Sequence, residues 1–107
     1  MPSQQQIHAF TQAFHRAAFE RLAVQPTLAE RALQTITRWQ MQRGPTSSDP
    51  YIQEWQALLK GDLNLLQTRV CADDGRAATL RNTSPLGFVL SPAERHALRR
   101  ESMRRAA

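Results

Sequence analysis

Asn82-Thr83-Ser84-Pro85-Leu86-Gly87-Phe88-Val89-Leu90-Ser91-Pro92-Ala93-Glu94-Arg95 carries two Ser-Pro steps around the densest apolar run in the second half of the chain. A proline pushes the residue before it out of the helical region, so the run between the two steps reads as loop rather than regular helix. An apolar loop of this kind has to be buried, and its expected place is as a plug in a helical core. The second step opens a helix. Ser91 can accept from an orphan N–H, Pro92 occupies the first helical position, and Glu94 closes a capping box.

Upstream of this stretch the apolar spacing is helical throughout. A first helix runs from Ser3, its cap, to about Ala23, with Ile7, Phe10, Phe14, Ala17, Ala18 and Leu22 as the core stripe. Pro26-Thr27 ends it, and Thr27-Leu28-Ala29-Glu30 reads as a capping box for a second helix reaching about Arg43. Its inner side is Ala29, Ala32, Leu33, Ile36 and Trp39, and Gly44-Pro45 stops it. Asp49-Pro50 starts a third, with Tyr51, Ile52, Trp55, Leu58 and Leu59 at helical spacing up to Lys60-Gly61. Asp62 caps a fourth that turns Leu63, Leu66 and Val70 inward. Residues 76 to 81 form a short helical turn with Ala77 and Leu80 inward, and the last helix extends to about Arg105. No alternating strand pattern occurs. The expected fold is all-α, a compact bundle of five to six short helices in a single domain spanning residues 1–107.

The 107 residues suit one continuous core, and 41% hydrophobic with 21% charged residues is an ordinary globular balance. No apolar run approaches the roughly 18 residues of a spanning helix, and the start from Met1 to Gln6 lacks the build of a signal peptide, so the expectation is a cytoplasmic protein without membrane contact. The single Cys71 excludes an internal disulfide and, among Leu65, Leu66, Val70 and Ala72, reads as a buried structural thiol. The net charge of +5 concentrates at the end of the chain: residues 91–107 hold Arg95, Arg99, Arg100, Arg104 and Arg105 against Glu94 and Glu101.

No residue pattern points to catalysis, a cofactor or a metal. His8 and His15 lie roughly 10 Å apart along one helix, too far for one ion without ligands between them. The glycines are isolated at helix boundaries, where they punctuate rather than cradle phosphate. Asp73 and Asp74 sit in a turn.

What remains are surfaces. Phe19 falls off the first helix's core stripe and shares a second face with His8, Gln12 and His15. Either another helix of the same domain covers that face, or it meets a different chain, a partner or a second copy. Together with Arg95, Arg99 and Arg100 of the last helix, these four residues make the candidate partner-binding set. Met41 and Leu65 are further apolar residues outside the main stripes. An alternative function for the arginines is DNA binding or autoregulation by a small basic helical protein, although the helices lack a recognisable helix-turn-helix corner.

The ending from Leu80 to Arg95, with Arg38-Trp39 and Glu54-Trp55 through Leu58-Leu59, resembles small bacterial helical proteins that act as antitoxin or chaperone partners of zeta-toxin-like, polynucleotide-kinase-like type III effector kinases, the AvrRxo-associated type. The resemblance covers residues 8 to 98. It departs at Leu86-Gly87, where the wider set favours Phe followed by a small residue. It implies a non-catalytic protein that binds a cognate toxin or effector kinase encoded nearby and suppresses it, and it transfers no inhibitory residue to any position of this chain.

Overall fold

The computed structural model describes residues 3–106, with side chains through Arg104; Met1, Pro2 and the side chain of Arg105 lie outside the described residues. The fold is all-α: α1 (Gln4–Val24), α2 (Thr27–Arg43), α3 (Asp49–Lys60), α4 (Leu63–Val70), α5 (Gly75–Asn82) and α6 (Pro92–Ala106), with no strand among the described residues. α1 is the hub. It packs against α2, α4, α5 and α6, while α3 closes the opposite side against α2, α4 and α5. Among the described residues α6 packs on no helix other than α1.

Local chemistry sets most of the boundaries. Ser3 and Gln6 form a reciprocal capping box at the start of α1 (Gln6 N to Ser3 Oγ, 3.1 Å; Ser3 N to Gln6 Oε1, 2.8 Å). Asp62 accepts from Asn64 N, Asp74 from Ala77 N, and Ser91 and Glu94 close the predicted box at α6. Gly44 ends α2 at φ +67°, a conformation favouring glycine. Two predicted caps differ. Thr27 is already helical, the N-cap position falls to Pro26, and no side chain caps α2. Asp49 likewise lies inside α3, and its carboxylate accepts instead from Thr46 N and Thr46 Oγ1, tying down the loop before the helix.

The core centres on Trp55, Phe19, Ile36, Leu80, Leu86 and Val70. Trp55 Nε1 donates to Leu80 O at 2.8 Å, so α3 is pinned to α5 by the one polar atom of its largest buried side chain. The loop between α5 and α6 enters the core as predicted: Leu86, Val89 and Leu90 are buried, Phe88 is half-buried and Gly87 faces out. At this loop's far end the chain turns into α6, which runs antiparallel to α1. Gln6 Nε2 donates to Met103 O at one end of the pair, and Arg21 pairs with Glu94 at the other.

The buried stripe of α1 is rotated from the predicted one. Phe14, His15, Ala18, Phe19 and Leu22 face the core, whereas Ile7 is exposed and Phe10 and Ala17 are half-buried. α1 has neighbours on two sides, so α6 takes part of the apolar arc, with Arg99 seated over Phe10, and the other helices take the rest.

Candidate functional site

The predicted partner-binding residues do not form one patch. Phe19 is 0% exposed and His15 is 2% exposed, so the reading of both as contacts to another chain is corrected: neighbouring helices cover them, and they are core. The ring of His15 lies 5.3 Å from Phe14, 6.1 Å from Phe19 and 6.0 Å from Trp55. Self-association through a Phe19 face falls with the same observation. His8 and Gln12 are half-buried and separate, His8 toward Asp73 and Asp74 in a cleft beside α5, and Gln12 in the groove between α1 and α6. On α6, Arg95 is half-buried, Arg99 is held over Phe10 at 4.9 Å, and Arg100 is exposed. Met41 (82% exposed) and Leu65 (49%) stand in solvent as the stripes predicted.

His15 belongs to a buried polar cluster whose other member the sequence did not reveal. Its Nδ1–H donates to Thr11 O at 2.7 Å, which leaves Nε2 as a lone pair without a hydrogen-bond partner among the described residues. Burial pulls its pKa down to about 4; the hydrogen bond to Thr11 works against this and the nearby charge of Arg81 adds to it. Arg81, also buried, donates from Nη1 to Val70 O (2.7 Å) and Ala72 O (2.9 Å), and from Nε to Thr11 Oγ1 (3.3 Å). It closes the carbonyl end of α4 and ties it to α1 and α5. Cys71 beside it is half-buried, not buried as predicted, and burial pushes its thiol up.

A second pattern involves four of the thirteen arginines. Of the seven aromatic rings, Phe14, Phe19 and Trp55 are buried, and the four that remain partly exposed each lie under a guanidinium. Arg31 covers Phe88 (4.4 Å), Arg99 covers Phe10 (4.9 Å), Arg43 covers Trp39 (5.3 Å) and Arg76 covers Tyr51 (5.7 Å). Arg76 also pairs with Glu54, which raises its pKa further.

Residues far apart in the chain meet at the end of α5. Trp39 and Arg43 of α2, Ser48 and Ile52 at the start of α3, and residues Asn82 to Ser84 line one open cleft of about 360 Å³. Two of the three segments that carry the sequence resemblance, Arg38-Trp39 and the stretch from Asn82, therefore converge here. Arg43 and Ser48 were not singled out by sequence; only the fold sets them beside Trp39.

The described side chains thus define an all-α domain with a buried His-Arg cluster, an arginine-bearing terminal helix and a polar cleft; among them no group of three His, Cys, Asp or Glu is placed to hold a metal ion, and no helix is long and apolar enough to cross a membrane. Compared with known proteins, the chain matches no family model, no curated protein and no solved structure.

Proposed function

We propose that this chain is a non-catalytic antitoxin or chaperone that binds a cognate zeta-toxin-like kinase or effector encoded nearby and suppresses it. Support comes from α6. Among the described residues the helix packs on no helix but α1, and Arg95, Arg100 and Arg104 make no ion pair there. Guanidinium groups on a helix held from one side suit forked contacts to carboxylates of an acidic protein surface. The resemblance of residues 80–95 supplies the kind of partner. With His15 and Phe19 in the core, the contact set reduces to the outward arginines of α6, with Gln12 at the edge of the α1–α6 groove.

Co-expression with the kinase encoded next to it tests this. The two chains are expected to co-purify in a fixed ratio and the kinase's toxicity to be relieved, with both effects weakened by the triple change R95A/R100A/R104A. Failure to co-purify together with failure to protect growth overturns the reading. The same three arginines also favour a second reading, phosphate contacts to DNA, which requires that binding to the chain's own promoter fragment weaken steeply as salt rises and that the triple variant lose it.

A further inference from the structure

The cleft at the end of α5 holds hydrogen-bond donors that the domain does not use. The Arg43 guanidinium lies over the Trp39 ring but makes no hydrogen bond or ion pair among the described residues. The indole N–H of Trp39, the amide of Asn82 and the hydroxyl of Ser48 likewise have no partner among the described residues, and Ser48, although at the N-cap position of α3, caps nothing with its side chain. Ser84 Oγ accepts from Leu86 N at 3.1 Å, which leaves its own proton free to turn outward. Only Thr83 has its proton engaged, by Thr79 O and Leu80 O.

The cleft's lining contains no carboxylate among the described residues. The acid next to it in sequence, Asp49, is not part of the lining, and its carboxylate accepts from Thr46 N and Thr46 Oγ1. A positive charge and several neutral donors on the residues lining one opening, with no acidic group among the described lining residues, select a ligand that offers negatively charged acceptor oxygens. The opening of about 360 Å³ is at the small end of ligand pockets, and Trp39 and Ile52 give it an apolar wall beside the donors.

We propose that the Trp39–Arg43–Asn82 cleft is a binding site for a small oxyanion, a phosphoryl or carboxylate group carried on a compact ring. Arg43 takes two of its oxygens in a fork, Asn82 and Ser48 donate to what remains, and the ring lies against Trp39 and Ile52. The site is separate from the α6 arginines, so it stands or falls independently of the partner-binding reading.

Trp39 reports on the site directly. Trp55, the other tryptophan, is 0% exposed and sealed in the core, so a ligand in the cleft changes the emission of Trp39. The full-length protein is titrated at constant ionic strength with inorganic phosphate, adenosine monophosphate and benzoate. A saturable change is expected with at least one of them, weakened by at least ~10-fold in Arg43→Gln and more mildly in Asn82→Ala, while R95A/R100A/R104A binds as the unaltered protein does. Response to phosphate and the nucleotide without benzoate assigns the phosphoryl source, and response to benzoate alone assigns the carboxylate. No saturable change with any of the three, or Arg43→Gln binding as tightly as the parent with its helical circular dichroism intact, overturns the proposal.

Discussion

The guanidinium of Arg81 reaches the carbonyl oxygen of Val70 at 2.7 Å, inside the domain and eleven residues back along the chain. A buried arginine is expensive unless its donors are filled, and here they end the α4 ladder and tie it to Thr11 of α1. Replacing Arg81 by Met keeps most of the stem but leaves two carbonyls without a donor, at ~1–3 kcal/mol for each. Arg81→Met is therefore expected to lower the urea midpoint strongly, whereas Arg104→Met on the exposed side of α6 leaves stability within ~0.5 kcal/mol of the parent. Equal midpoints for the two variants would contradict this role for Arg81.

Acid should weaken the fold through His15. Its folded pKa of about 4 lies below the ordinary 6.5, so the unfolded chain binds the proton more readily. The stability due to the neutral imidazole is complete above pH 6.5 and is lost as pH falls toward 4, roughly 3 kcal/mol in all. Protonation would place an N–H on Nε2, where no acceptor waits among the described residues, close to the charge of Arg81. Denaturant titrations at pH 7 and pH 5 are expected to show much of the loss, and His15→Met to remove most of the difference between them. Glu94 acts lower. Its carboxylate is held below the usual range by Ser91 N–H and then by Arg21, so its contribution disappears only as pH falls below about 4.5.

The apolar loop should respond unevenly. Leu86 is fully buried and Leu86→Ala is expected to cost ~2–5 kcal/mol by leaving a cavity in the centre of the core. Phe88 is half-exposed beneath Arg31, and its change to Ala should cost clearly less. Equilibrium unfolding of the two single variants measures the difference; a larger loss at Phe88 would mean that the loop is held mainly by its outer ring.

Removing the cap of α6 should have a local effect. Ser91→Ala deletes the hydroxyl that accepts from Glu94 N, a change worth ~0.5–2 kcal/mol. Because α6 packs on no helix but α1 among the described residues, hydrogen exchange is expected to accelerate in residues 94–104 while the amides of α3 and α5 keep their protection. Uniform acceleration across all six helices would show instead that α6 unfolds only with the whole domain.

Much of this architecture is legible in the residues. Ser3, Asp62, Gly44 and the Ser91-Glu94 box announce helix ends through short-range chemistry, and the 3.6-residue spacing in α2 and α3 finds Ile36, Ile52 and Trp55. His15 and Phe19 were harder to place because a helix with neighbours on two sides has a broad apolar arc, and periodicity alone does not say where its centre lies. His15 also counts as polar in any sequence pattern, although its neutral ring, bonded to Thr11 O, fills the core like an aromatic. Thr27 failed as a cap because the chain enters α2 already helical at Pro26 (φ −59°, ψ −24°), leaving no extended residue to turn its side chain onto the first N–H groups. The cleft at Asn82 joins residues from three helices, so its composition exists only after folding.

The four arginine-roofed rings bear on how the protein behaves in a crowded solution. A half-exposed phenyl or indole ring is ordinarily a sticky spot, yet here an approaching copy meets a planar cation first, at Phe10, Trp39, Tyr51 and Phe88 alike. Lysine would keep the net charge but could not lie flat on a ring, so at these four positions arginine covers aromatic surface that lysine would leave more open to a second copy.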